Sequence, residues 1–201
     1  MISQQIINEG LSYEEYIKLV EGLVAGNKTT GNNQEQMLVD FTKLNLHRME
    51  RISKQMEVQP KLVDRIAALK NQLIWIVIAE AWCGDCAQNV PALAKLADAS
   101  KGNITLRIIG KDQHPEVMEA YLTNGAQAIP KLICLNTSTL EQIDTWGPRP
   151  VPAQEIMLYY KANKEEQSWE DFEKKLHGWY AKDKSITLQE EFIELIPQWD
   201  K

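Results

Sequence analysis

The stretch of sequence that decides the fold is "LIWIVIAEAWCGDC", residues 73–86. Its first half, Leu73 to Ala79, is an unbroken apolar run rich in β-branched side chains, which is typical of a strand covered on both faces in the middle of a sheet. Its second half places Cys83 and Cys86 directly after this strand, at the start of an apolar-periodic helix that runs to about Ala99. The stretch therefore predicts a central strand that carries a Cys-x-x-Cys pair to the N-terminus of a helix.

The chain beyond this helix supplies the rest of the predicted sheet. A second strand, "ITLRIIG" at 104–110, completes a β-α-β unit and puts the thiols at the carboxyl edge of the sheet, where α/β proteins usually carry their sites. A short helix begins at Pro115 and is ended by Gly125. The segments 128–136 and 139–146 then read as two strands joined by the polar "NTST" turn, which predicts an antiparallel hairpin at one side of a mixed sheet.

Helices are expected before this core. The first is predicted between Ser12, which forms a capping box, and the stop signal at Gly26. The second carries apolar positions from Leu38 to Met56 at helical spacing, and the third opens at Pro60. The first third of the chain is thus predicted to be helical throughout.

Helices are also expected after the hairpin. They are predicted to cover 152–161, 168–180 and about 188–196. Within the second of them, an apolar stripe from Trp169 to Trp179 is predicted to face the core. The predicted fold class is α/β, with a central mixed sheet flanked by helices, in one domain over residues 1–201. The predicted parts of that domain are an N-terminal helical extension, 1–57, a core, 58–162, and a C-terminal helical addition, 163–201.

Composition excludes some classes of partner. The 201 residues are 44% hydrophobic and 25% charged, which is ordinary for a globular protein that buries a core. The formal net charge of -6 lacks the basic excess that binds nucleic acid or anionic membranes, so neither partner is expected. With no signal peptide or spanning apolar run in the sequence, a reducing cytoplasmic location is expected, where a Cys-x-x-Cys pair is more often catalytic or metal-binding than structural.

The cysteine pair has three possible roles, which are metal binding, a structural bridge and redox chemistry. Tetrahedral zinc requires four ligands, and the other candidate ligands, Cys134 and the three histidines, are scattered along the chain. We therefore favour redox chemistry, with no metal and no cofactor. Cys134 lies inside an apolar strand and is expected to be an inert buried thiol, and His114 is expected to be a solvated turn residue.

The residues around the pair resemble the thioredoxin family. Trp82, Cys83, Gly84 and Cys86 are similar to its Trp-Cys-Gly-Pro-Cys motif, and Pro91 stands where that family has a proline that kinks the active-site helix. The sequence also resembles bacterial thioredoxin-like proteins that carry a long helical N-terminal extension and a Trp-Cys-Gly-Asp motif.

A second match lies downstream, where Ile129 and Pro130 fall on the family's cis-proline motif. The resemblance covers about residues 60–162 and implies a thioredoxin-like fold. It also implies that Trp82, Ile129 and Pro130 shape the groove in which a client binds.

The resemblance assigns the two thiols different roles, and the chemistry of a helix N-terminus agrees. The unpaired N–H groups and the dipole of the helix stabilise the Cys83 thiolate, which makes Cys83 the nucleophile. Cys86, one turn further on, can then attack the mixed disulfide and is the resolving thiol.

Two departures from the family pattern affect how Gly84, Asp85 and Glu80 would tune this couple. Asp85 replaces the motif's proline, and its carboxylate would oppose the Cys83 thiolate and make the couple more reducing, or would simply favour the helix N-terminus. Val77 stands where the family has a buried aspartate that accepts the proton of the resolving thiol. Glu80 is the nearest candidate to replace that aspartate.

The function expected from these observations is thiol-disulfide exchange. The expected partners are a protein or small-molecule disulfide client and an electron donor such as glutathione or an enzyme of the thioredoxin-reductase type. The alternative is a redox sensor or protein-interaction module with the same fold, which would form the Cys83–Cys86 disulfide without turnover.

Overall fold

The computed structural model describes residues 2–200, and within them the chain forms nine helices around a four-stranded sheet. In chain order the elements are α1 Gln4–Glu9, α2 Tyr13–Ala25, α3 Gln36–Gln55, α4 Pro60–Ala67, β1 Leu73–Ala79, α5 Gly84–Ala99, β2 Ile104–Gly110, α6 Pro115–Ala120, β3 Lys131–Asn136, β4 Gln142–Trp146, α7 Val151–Ala162, α8 Trp169–Asp183 and α9 Ile186–Trp199. No helix among these is both long and apolar enough to span a bilayer.

The sheet is mixed, with strand order β2-β1-β3-β4. β1 runs parallel to β2 and antiparallel to β3, and β3 and β4 form an antiparallel hairpin. All seven residues of β1 are buried, because strands flank it on both sides and helices cover both faces. The predicted central strand, mixed sheet and edge hairpin are therefore confirmed.

The helical predictions are mostly confirmed, with three corrections. The short helix α1 was not predicted, because one and a half turns carry too little periodicity. α6 ends at Ala120, ahead of the predicted stop at Gly125, and Tyr121 already leaves helical geometry with φ −125°. α9 is longer than the predicted 188–196, spanning Ile186–Trp199, and its apolar face is buried in the main hydrophobic core.

The N-terminal helices share the main hydrophobic core with the sheet. Tyr16 and Val20 of α2 and Met49 of α3 belong to the same buried cluster as β1. Leu11 also joins the sheet edge, where its N–H donates to the Ile108 carbonyl at 2.8 Å and its carbonyl accepts from the Ile108 N–H at 2.7 Å. The extension is thus packed into the core and bonded to β2.

The last helix closes the opposite side of the core. Phe192 and Trp199 of α9 pack on Trp75 of β1, with ring centroids 5.3 and 5.8 Å away. Trp199 Nε1 donates to an Asp144 carboxylate oxygen at 2.9 Å, which ties the helix to β4. A long terminal helix is stable here because burying its aromatic side chains offsets the cost of ordering it.

A smaller hydrophobic cluster joins α7 to α8 through Ala153, Phe172, Leu176 and Tyr180. The prediction that the stripe from Trp169 to Trp179 faces the core is only partly right. Trp169, the first residue of α8, is 52% exposed, and its contacts with described aromatic rings are those with Tyr160 of α7 and Phe172.

Candidate active site

Cys83 is the N-cap residue of α5, immediately after the loop that leaves β1. Its N–H donates to the Glu80 carbonyl at 3.1 Å, which turns the chain from strand to helix. The N-terminal extension holds this loop from both sides. Thr30 Oγ1 accepts from the Ala81 N–H, and Asn45 Nδ2 donates to the Ala81 carbonyl, both at 2.8 Å. Residues of the extension therefore fix the backbone that presents the first thiol.

The two thiols lie in different environments. Cys83 is half-buried, and its Sγ donates to the Ile129 carbonyl at 3.5 Å. Cys86 is 1% exposed, and burial raises the pKa of its thiol well above the ordinary value of 9.0, with a hydrogen bond to Cys83 and the charge of Cys83 adding to the shift. Cys83 is thus accessible and Cys86 is shielded, which is the asymmetry that a nucleophile and a resolving thiol require.

The loop before β3 lies beside Cys83. The peptide bond between Ile129 and Pro130 is cis, and Pro130 is buried. Gly147, at the end of the hairpin, has φ +108° and packs so closely on the Pro130 carbonyl oxygen that a Cβ would collide with it. Glycine is therefore required where the chain after β4 passes the Pro130 carbonyl. The Gly147-Pro148 dipeptide is the feature of the sequence that indicates a turn at this point.

A cavity of about 310 Å³ opens over Cys83, and we call it the motif cavity. Its lining includes five of the predicted site residues, Trp82, Cys83, Gly84, Asp85 and Ile129. Three elements outside the predicted site complete the walls, which are α3, α7 and α8. The structure thus brings most of the predicted residues together, and it adds walls from the extension and from the C-terminal helices.

The Asp85 carboxylate does not act alone beside the thiols. Arg149 Nε donates to Asp85 Oδ2 at 2.9 Å and its Nη2 donates to the same oxygen, while the Tyr180 hydroxyl donates to Oδ1 at 2.8 Å. The Arg149 and Asp85 side chains are only 9% and 8% exposed. We expected the Asp85 carboxylate to oppose the Cys83 thiolate, but the positive charge of Arg149 offsets part of that effect. Arg149 is remote from Asp85 in sequence, so no local pattern indicated the pair.

Two further side chains that sequence reasoning missed stand over the motif. His177 of α8 packs on Gly84, where a Cβ would lie 2.7 Å from its Cε1. Burial, aided by the charge of Arg48, lowers the pKa of His177 from 6.5 to about 4, so the imidazole is neutral near pH 7. Arg48 of α3 also lines the motif cavity. Both come from helices remote in sequence, where they looked like ordinary polar helix residues.

Glu80 lies apart from the motif cavity. Its Oε1 accepts from the Asp112 N–H at 3.3 Å, and it lines a second cavity of about 460 Å³ between α2 and β2, which we call the rear cavity. Tyr16 lines the same cavity, and the charges of Cys86 and Glu80 both contribute to raising the pKa of Tyr16 after burial. Among the described residues, neither Glu80 Oε2 nor the Tyr16 hydroxyl has a hydrogen-bond partner. Burial raises the pKa of Glu80 above 4.5.

The remaining candidate residues lie elsewhere. Cys134 is fully buried in β3, and burial raises the pKa of its thiol to about 12, as expected of an inert cysteine. The His114 side chain is only 12% exposed and lies 3.7 Å from Glu9 and 3.6 Å from Glu116, so the prediction of a solvated turn residue is wrong. Over residues 2–200, no three His, Cys, Asp or Glu side chains are grouped so as to hold a metal ion.

Comparison with known proteins identifies related sequences and folds. The sequence profile of a protein family described as Thioredoxin matches residues 31–173. A thioredoxin from Rhodospirillum rubrum is 38% identical over 52 residues, which are 26% of this chain and 47% of that protein. The match thus spans about half the length of that relative.

Solved structures resemble the whole chain. A protein of unknown function from Pseudomonas aeruginosa has a TM-score of 0.59 at 17% identity, with 98% of each chain covered. An HIV epitope scaffold has a TM-score of 0.54 at 18% identity, covering 93% of this chain and 98% of its own. At these identities the two structures show the fold alone, and with the family match they confirm the predicted fold class.

Proposed function

The chain belongs to the thioredoxin family, and on that premise we propose that it is a thiol-disulfide oxidoreductase that reduces client disulfides through Cys83 and Cys86. One observation carries the proposal. A half-buried thiol at a helix N-terminus faces a cavity, and a second thiol, one helical turn on, is shielded behind it. A disulfide client can therefore meet Cys83 first and Cys86 only afterwards.

In the first step the Cys83 thiolate attacks one sulfur of the client disulfide. The bond between the two client sulfurs breaks, a bond forms between Cys83 Sγ and the client, and the other client sulfur leaves as a thiolate that takes up a proton. The N–H groups at the start of α5 stabilise the attacking thiolate. Trp82 and Ile129 border the approach, and before it loses its proton Cys83 Sγ donates to the carbonyl of Ile129, the residue that precedes Pro130.

In the second step Cys86 loses its proton and attacks Cys83 Sγ. The bond from Cys83 to the client breaks, so the client gains two electrons and the protein keeps a Cys83–Cys86 disulfide. Because burial raises the pKa of Cys86, this step needs a base. We propose Glu80 as that base, because it is a buried carboxylate three residues before Cys83, lines the rear cavity and has an Oε2 atom without a hydrogen-bond partner among the described residues.

Return to the dithiol requires an electron donor. A thioredoxin-reductase-type enzyme or glutathione would supply it, and a reducing compartment such as the cytoplasm would suit the cycle. The second candidate function is a redox sensor or interaction module. The observation that favours it is the extension, which restricts access to Cys83 by walling the motif cavity.

Turnover separates the two candidates. We expect the protein, with a reductant present, to catalyse reduction of bis(hydroxyethyl) disulfide or insulin, and Cys83→Ser to abolish this activity. Cys86→Ser should accumulate a mixed disulfide at Cys83, detectable by intact mass. Glu80→Gln should slow only the second step and flatten its rise with pH. Formation of the internal disulfide with no turnover on either substrate would favour the sensor.

A further inference from the structure

The Arg48 guanidinium in the wall of the motif cavity forms no ion pair with a described acidic side chain. The Arg48 guanidinium lines the cavity and donates from Nη1 to the neutral amide oxygen of Asn45 at 2.9 Å. Within residues 2–200, no carboxylate oxygen lies within 4.0 Å of this guanidinium. A half-buried arginine without an acidic partner costs free energy unless a ligand supplies the counter-charge.

The other ionisable groups at the cavity leave this cation available. Asp85 is already engaged by Arg149, and His177 is neutral near pH 7. Glu173 lines the cavity too, but its carboxylate forms no ion pair with any described residue and acts on Arg48 only over a longer distance. Arg51, one turn further along α3, lines a different pocket.

The rest of the cavity wall is apolar and close to the thiol. Met37 and Phe41 of α3, Met157 of α7 and Trp169 of α8 all line the cavity. Because Cys83 is half-buried and shares this cavity of about 310 Å³, a disulfide must enter the cavity to reach Sγ. That volume suits a small molecule and is at the lower end of ordinary ligand pockets.

We propose that the substrate is a low-molecular-mass disulfide whose arm bears a carboxylate, with Arg48 binding the carboxylate and the apolar wall binding the arm. Arginine suits this role because its planar fork matches a carboxylate. The inference rests on the proposed function, since it concerns the molecule that Cys83 attacks. The chemistry is the exchange already described, in which the substrate disulfide is reduced to two thiols as Cys83 and Cys86 are oxidised.

The test compares three disulfides that differ mainly in charge, namely dithiodipropionate, bis(hydroxyethyl) disulfide and cystamine. Protein that has been reduced and freed of reductant is mixed with each disulfide, quenched with acid and alkylated, and loss of the thiols is followed by intact mass. Each rate is divided by the rate of the same disulfide with dithiothreitol, which removes differences in intrinsic reactivity. We expect the anionic disulfide to react about tenfold faster than the neutral one on this scale, and cystamine to be slowest.

Matched variants assign the preference to Arg48. Arg48→Gln replaces the cation by a neutral hydrogen-bond donor, so the ratio of its relative rates with dithiodipropionate and bis(hydroxyethyl) disulfide should fall to near one, whatever its absolute rate. Its far-ultraviolet circular dichroism, compared with that of the wild type, verifies that the variant is folded. Arg51→Gln removes a charge from the same helix and should keep the preference. Glu173→Gln should strengthen it, because it removes a negative charge from the cavity.

The possible results separate the proposed carboxylate site at Arg48 from the proposed oxidoreductase activity. Equal relative rates for the three disulfides, or a preference that survives in Arg48→Gln, would overturn the carboxylate site and leave the oxidoreductase intact. If the wild-type dithiol reacts with none of the three disulfides, the proposed function fails as well.

Discussion

At the scale of single residues, His177 makes folding stability depend on pH. Its pKa in the folded protein is about 4 against an ordinary 6.5, because burial and Arg48 disfavour the charged form. The unfolded chain therefore binds a proton at a higher pH than the folded chain does. The stability that the neutral imidazole contributes is complete above pH 6.5 and is lost as the pH falls toward 4.

As the pH is lowered from 6.5 to about 4, we expect the free energy of unfolding, measured with urea, to fall in the wild type and to fall less in His177→Gln. Glutamine keeps a polar group near Gln88, which lies 3.3 Å from His177 Nδ1, and has no proton to gain. Equal slopes in the two proteins would show that His177 is not shielded from protonation.

The Asp85–Arg149 pair is a second prediction for single residues. Arg149→Gln leaves a buried carboxylate whose one remaining side-chain donor within residues 2–200 is the Tyr180 hydroxyl, so it should cost about 3–5 kcal/mol of stability. Adding Asp85→Asn removes that charge and should recover part of the loss. Urea unfolding of the four proteins in this double-mutant cycle measures the coupling, and additive losses would mean that the pair contributes no mutual stabilisation.

The predictability of the site differs from residue to residue. Cys83, Cys86 and Trp82 are neighbours in sequence, so spacing alone places them at one helix N-terminus. Arg48 and Arg149 reach the site only through tertiary packing, and local sequence carries no record of such contacts. Glu80 was predicted from proximity in sequence, but strand β1 and its loop turn its carboxylate toward Asp112.

At the scale of elements, the contact between α8 and α5 depends on the missing side chain of Gly84. Gly84 is the first residue of α5, and the Cβ of an alanine at this position would lie 2.7 Å from His177 Cε1. Overpacking of this kind typically costs about 1–3 kcal/mol, so Gly84→Ala should destabilise the wild type.

The same substitution should become neutral or stabilising when made in His177→Ala, because the obstructing ring is gone. Urea unfolding of both pairs of proteins gives the two effects. A loss of similar size in both backgrounds would contradict the packing of α8 on the motif.

The elements themselves were predictable where their patterns were long or strongly apolar. β1 is one such case, and α2 is another because its capping box is present in the structure as predicted. The full length of α9 and its burial could not be predicted, because Phe192 and Trp199 pack on Trp75, a residue of β1 that is remote in sequence.

At the scale of the whole molecule, we propose that residues 1–201 form one domain that unfolds cooperatively. The N-terminal extension, 1–57, and the C-terminal addition, 163–201, would then unfold together with the core, 58–162. Met49 of the extension is 1% exposed and shares a buried cluster with Phe192 of α9, which is fully buried. Met49→Ala should therefore cost about 2–5 kcal/mol and lower the stability of the entire chain.

Unfolding of Met49→Ala followed by far-ultraviolet circular dichroism and by tryptophan fluorescence should give coincident transitions, both shifted by the same amount. Leu44→Ala is the matched control, because Leu44 is on the same helix but is 46% exposed, and it should change stability by less than about 0.5 kcal/mol. Two separate transitions, with only one shifted, would show that the extension folds as an independent unit.

For the whole molecule, the proposed function requires that Cys83 and Cys86 form a reversible redox couple. The most direct test is a redox titration of the purified protein against glutathione or dithiothreitol, with both thiols followed by alkylation and mass spectrometry and zinc assayed in the same sample. We predict a reversible two-electron couple in zinc-free protein, with a potential closer to the value of about −270 mV for thioredoxin than to the value of about −120 mV for a strong oxidant. Stoichiometric zinc together with thiols that form no reversible disulfide would contradict this account.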